Sequence, residues 1–125
     1  MKKLLLLLTV FTLTFYSCDN DDDDLDLLES PYAGTWSGTY TGDDTGTWII
    51  EISKSGEFIK GSSYSHNARR TQGYKSVTIN ADGSSTSVAE NGTIGTGQFT
   101  EDNTSTGTWH NPNNNLRGIS RGSKK

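Results

Sequence analysis

The residues of this chain that could do covalent or metal chemistry are few: one cysteine, two histidines, and a serine set in a glycine frame. Gly118-Ile119-Ser120-Arg121-Gly122 fits the Gly-x-Ser-x-Gly string. A nucleophile in that string needs a strand, a sharp elbow, a following helix and a histidine later in the chain. Only Ser123, Lys124 and Lys125 follow Gly122, so no hydrolase is read from it. His66 and His110 are far apart in the chain with no cysteine near either, and no metal site is expected from them. Paired-carboxylate catalysis needs two acids held a few ångströms apart in a cleft. Glu51, Glu57, Glu90 and Glu101 fall in alternating or turn contexts that predict exposure instead. No phosphate-cradling loop opens a helix. The expectation is a non-enzymatic chain with no metal and no cofactor.

Binding is better served than catalysis. Trp36, Tyr40, Trp48, Tyr64, Tyr74 and Trp109 could line a pocket or stack on sugar rings. The plainer reading is that they fill a core, because a domain this small needs its few large side chains for that. It applies most strongly to Trp36 and Trp48, which stand in apolar alternation. Tyr40, Tyr64, Tyr74 and Trp109 remain as candidate ligand-binding residues.

The lone cysteine, Cys18, has a chemistry of its own. Met1, Lys2 and Lys3 make a positive start, and an apolar stretch from Leu4 to Tyr16 follows, broken by threonines. It is shorter than the roughly 18–20 apolar residues of a membrane-spanning helix. With the small Ser17 before Cys18, residues 1–17 read as a secretory signal. An exported chain with one cysteine forms no internal disulfide, so the thiol needs another role. Its thiolate can take a diacylglyceryl group, and cleavage then leaves a lipidated N-terminus that anchors stably with two or three acyl chains. Phe15-Tyr16-Ser17-Cys18 resembles the lipobox of bacterial lipoproteins, with Phe15 where leucine is usual. Asp19-Asn20-Asp21-Asp22-Asp23-Asp24 resembles the acidic run after the lipid cysteine in surface-exposed lipoproteins of Bacteroidota. The resemblance implies a lipid-anchored protein on the outer face of the outer membrane, with the periplasmic face as the alternative. The run lacks the spaced ligands and turn glycine of a calcium loop. Residues 18–32 read as a hydrated, acidic tether.

Charge divides the same way. Beyond residue 17 the chain carries nine basic and fifteen acidic residues, a net −6. Seven of those acids lie between Asp19 and Glu29, so residues 30–125 carry about +1. No basic field argues for nucleic acid.

Residues 33–125 must therefore position whatever the domain binds. All fourteen glycines lie between Gly34 and Gly122, serine and threonine are dense, and Leu116 is the only leucine after Leu28. That composition favours strands and turns over helices. Gly-Thr-aromatic triplets recur at Gly34-Thr35-Trp36, Gly38-Thr39-Tyr40, Gly46-Thr47-Trp48 and Gly107-Thr108-Trp109. Strand alternation then puts Trp36, Gly38 and Tyr40 on one face and Thr35, Ser37, Thr39 and Thr41 on the other. Turn signals at Asp43-Asp44, Ser55-Gly56, Asp82-Gly83, Asn91-Gly92, Glu101-Asp102 and Asn111–Asn115 separate about eight short strands. His66–Gly73 reads as a longer polar loop. The fold expected is all-β, a small antiparallel meander closed or nearly closed into a barrel. The Gly-x-x-x-Gly frames at Gly34–Gly38 and Gly118–Gly122 suggest that the first and last strands pair.

Gly34-Thr35-Trp36, then Ser55-Gly56-Glu57-Phe58 and Gly61 to Tyr64, resembles the opening of the calycin barrels, avidin-like and lipocalin-like. The resemblance implies a barrel architecture and no particular ligand residue. The function expected is a surface-tethered β-domain, held to the membrane through Cys18, that binds a small molecule, a glycan or a protein. The alternative is a structural envelope protein with a filled interior. An open mouth lined by tyrosine and tryptophan separates the two.

Overall fold

The computed structural model describes residues 29–125. The signal segment, Cys18 and the aspartate run lie outside the described residues. Eight strands follow in order: β1 (Gly34–Gly42), β2 (Gly46–Ile52), β3 (Phe58–Ser65), β4 (Arg70–Ile79), β5 (Ser84–Ala89), β6 (Ile94–Phe99), β7 (Thr104–Asn111) and β8 (Leu116–Lys124). Each pairs antiparallel with the next, and β8 returns to pair with β1, so the meander is a closed barrel. Closure leaves no edge strand to template aggregation.

The first and last strands pair as expected, and glycine sets the seam. The register runs from Trp36 opposite Lys124 to Gly42 opposite Gly118, with Gly38 facing Gly122. A third cross-strand pair, Gly97 with Gly107, joins β6 to β7. At such pairs the backbones approach closely and the sheet bends, which a small barrel requires.

The polar loop read over His66–Gly73 is shorter in the structure. Arg70 to Gly73 pairs with Ser62 to Ser65 as the start of β4, and only His66–Arg69 turns. The sequence hides this because both faces of that hairpin are polar and no apolar alternation marks it. The strand breaks phase further on. Tyr74 faces Ala89 and Ser76 faces Val88, which leaves Lys75 as an extra residue. That bulge puts Tyr74, Val77 and Ile79 on one face despite their odd spacing.

One end of the barrel is plugged. Tyr32, Trp36, Ile50, Ile52 and Phe99 form the buried core, with Phe58, Tyr74, Val77 and Ile79 packed against it. Trp36 is wholly buried, its ring 4.7 Å from that of Phe99 and edge-on to it. Its indole N–H donates to the Tyr32 carbonyl at 2.9 Å. Ser30, Pro31 and Tyr32, placed in the tether by the sequence reading, sit at this end: Ser30 N–H donates to the Lys54 carbonyl, and Lys124 Nζ to that of Pro31. Trp36→Phe keeps an aromatic ring but removes the donor, leaving the Tyr32 carbonyl unpaired and a gap beside Phe99. A loss of about 1–3 kcal/mol is expected in chemical denaturation. A loss near zero would mean that the plug tolerates repacking.

Candidate functional site

Strand alternation turns half of every strand inward, and the inward set here is unusually small. Cross-strand register aligns Ser63 and Ser65 with Trp48 and Gly46, Ser87 with Gly95, and Ser120 with Gly107 and Tyr40. Glycine and serine cannot fill an eight-stranded barrel. Above the plug the interior is therefore hollow, a cavity of 770 Å³. Its size falls in the range of small-molecule sites, roughly 300–1,000 Å³. Its open end is ringed by Asp44, Asn67, Arg70, Glu90, Asn91 and Asn114.

Glycine also makes room for the rings that cross the interior. A Cβ on Gly122 would lie 2.3 Å from Cζ2 of Trp48, one on Gly118 2.6 Å from Nε1 of Trp109, and one on Gly46 2.5 Å from the Tyr40 ring. Each large ring is thus seated over a glycine of a neighbouring or facing strand. Trp109 donates to the Thr41 carbonyl at 3.2 Å and stands edge-on to Tyr40, centroids 5.6 Å apart. Trp48 Nε1 is buried with no hydrogen-bond partner among the described residues. A buried donor left unpaired costs about 1–3 kcal/mol.

Three of the four candidate ligand-binding residues, Tyr40, Tyr74 and Trp109, line the cavity together. Tyr64 does not. It pairs with Thr47 on the outer face, is 37 % exposed and stacks edge-on against His66. The alternation Ser63, Tyr64, Ser65 decides this: the serines point in and the tyrosine out. Trp36 fills the core as expected, whereas Trp48 lines the cavity as well as packing across it.

Tyr40 holds the rim. Its hydroxyl donates to the Tyr64 carbonyl at 3.0 Å and lies 3.5 Å from the Asp44 carboxylate. Asp44 also accepts from Ser65 Oγ at 2.8 Å and from the Thr45 N–H at 2.8 Å. Burial, and then the Asp44 charge, raise the Tyr40 hydroxyl above its ordinary value. Glu90 is an exposed carboxylate that accepts from the Gly73 N–H at 2.8 Å and so ties the β5–β6 turn to β4. Glu51 pairs with Lys60 at 3.7 Å on the outer wall. Ser120, of the Gly-x-Ser-x-Gly string, sits within β8 and lines the cavity with no elbow beneath it.

Tyr74 lies deeper, edge-on to Phe58. Burial pushes its hydroxyl up to about 12, with Tyr40 adding slightly and a hydrogen bond with Ser63 opposing. A raised value means that the fold favours neutral Tyr74. Its contribution to stability is intact below the ordinary value of 10.0 and is lost as pH rises toward about 12. Absorbance titration of tyrosinate should therefore show a late step that a Tyr74→Phe variant lacks. Titration of all the tyrosines together near the ordinary value would place Tyr74 in water.

The sequence reading weighed Trp48 as a lining residue but assigned it to the core, and it missed the inward serines altogether. The signal was present as parity, since Ser63 and Ser65, or Ser85 and Ser87, share a face. Serine on an inner face marks empty space, and large side chains draw attention away from it. Among the described residues no group of three or more His, Cys, Asp or Glu is placed to hold a metal ion. Compared with protein families, curated proteins and solved structures, the chain matches none.

Proposed function

We propose that this chain is a lipid-anchored surface protein whose barrel binds a small molecule inside its cavity, without catalysis. One observation carries the binding reading: the interior above the plug is hollow, open at one end and lined by Tyr40, Trp48, Tyr74 and Trp109. A barrel with a purely structural role has no reason to keep 770 Å³ unfilled, because filling an interior stabilises it. The hollow interior weighs against the filled structural barrel as an alternative. The anchor rests on Cys18, the signal before it and the acidic run after it.

Ligand that binds only the folded barrel raises its melting temperature. The test of binding is thus a thermal-shift screen of the full chain against water-soluble metabolites, beside a variant with a filled cavity. Compounds that stabilise the wild type and not the filled variant identify the site. A screen in which nothing separates the two would remove the binding reading.

The anchor is tested in cells by lipid labelling and surface proteolysis, wild type beside Cys18→Ala. Labelled wild type that is shaved from intact cells, with unlabelled variant released, is the expected result. Label with protection from protease would move the protein to the periplasmic face. Equal behaviour of the two chains would end the lipoprotein reading.

A further inference from the structure

We infer that the cavity takes a neutral, polyhydroxylated ring, the end of a saccharide, in preference to an acid, an amine or an acyl chain. This inference rests on the reading of the barrel as a small-molecule binder. Charge is the first argument. The charged lining residues, Asp44, Arg70 and Glu90, all stand at the open end, and Arg70 and Glu90 are exposed. Below them the walls offer hydroxyls, aromatic rings, backbone and the aliphatic side chains of Ile50, Val77 and Leu116, and no charge. A carboxylate or ammonium carried down there would lose its water with no counter-charge to replace it, a cost of several kcal/mol on general grounds.

The second argument is the opposite case. Ser85, Ser87, Ser105 and Ser120 come from three strands and line the cavity. None of the four hydroxyls is hydrogen-bonded to another group among the described residues. An acyl chain pressed against them would strip their water and return no bond. A serine hydroxyl both donates and accepts, and so does each hydroxyl of a sugar. A ligand bearing hydroxyls around a ring can meet donors and acceptors arriving from several strands at once.

The third argument is the rings. Trp48, Tyr74 and Trp109 bring aromatic surface to a cavity whose lining also includes serines and the apolar Ile50, Val77 and Leu116. The C–H bonds on the face of a pyranose are polarised by the neighbouring oxygens, and they meet the negative face of an aromatic ring favourably. Hydroxyls at the ring edge then reach the serines. Flat apolar contact combined with many neutral polar contacts is a demand that few other soluble ligand classes meet.

The test uses the full chain in phospholipid nanodiscs, with isotope-labelled tryptophan read by its indole N–H signals. Glucose, N-acetylglucosamine and maltose are the neutral probes; glucuronate and glucosamine are the charged ones. A neutral sugar should shift the Trp48 signal saturably and leave that of Trp36, already bonded to Tyr32, in place. Ser85→Ala with Ser120→Ala should weaken that sugar about tenfold, as expected for one or two lost hydrogen bonds, at an unchanged melting temperature. Acrylamide, a small neutral quencher of tryptophan fluorescence, reports separately whether the cavity admits solutes. If acrylamide reaches Trp48 and Trp109 but no neutral sugar shifts Trp48, the saccharide inference is overturned while the binding reading stands. Equal or stronger shifts with glucuronate or glucosamine overturn it too. If neither acrylamide nor sugar gains access, both readings fall.

Discussion

Gly38→Val is expected to open the barrel. A Cβ at Gly38 would sit 1.9 Å from the Arg121 carbonyl oxygen and 2.6 Å from Gly122 Cα. Both are backbone atoms of the facing strand, so no side-chain rotation relieves the contact. Either β1 and β8 separate or the strands kink apart along the seam. Overpacking a core costs about 1–3 kcal/mol, and a backbone collision belongs at or above the top of that range. Small domains hold only about 5–15 kcal/mol in total. The variant should melt on the order of 15 °C lower or fail to fold, with rapid amide exchange along β8. Thr39→Val, one residue away on the outer face and exposed, should stay within a few degrees of wild type. Equal melting of the two variants would mean that the close approach of the seam is not a constraint.

Filling the cavity should separate stability from binding. Ser87→Phe and Ser120→Phe together add two rings to the hollow from β5 and β8, beside Gly95 and Gly107. Each ring buried there gains about 1.5–3 kcal/mol of hydrophobic transfer, less the cost of losing its rotamer freedom. The double variant should melt at or above the wild-type temperature. Every compound that stabilises the wild type should lose its effect, and acrylamide quenching of Trp48 and Trp109 should fall sharply. Most substitutions destabilise, whereas stability gained as binding is lost marks space kept unfilled for a ligand. Retained binding in a folded double variant would move the site to the outer surface.

The architecture was legible because its signals are local. Gly-Thr-aromatic triplets, turns such as Asn91-Gly92 and the absence of helix-forming stretches each act within a few residues, and together they mark strands and their breaks. Pairing of β1 with β8 was legible too, through matching glycine spacings, although the spacings alone leave the register open. The site was only half legible. Tyr40, Tyr74 and Trp109 converge in the cavity, yet nothing local says so, because convergence is a property of the closed barrel. Tyr64 lies on the outer wall by the parity of its own strand, which becomes readable only from the pairing of Trp48 with Ser63. The depth of the cavity depends on what is missing from inner positions, and a polar stretch such as Ser62-Ser63 reads as surface until the wall is known to curve.

Ser30, Pro31 and Tyr32 enter the barrel at its plugged end, beside Lys124 and the last strand, while Asp44, Arg70, Glu90 and Asn114 ring the opposite end. The described chain therefore enters at the base of a cup and the opening looks the other way, so the segment that leads into the barrel does not cross the mouth. Solutes can reach the cavity without displacing residues 30–32, and the rim turns meet them before the plug does.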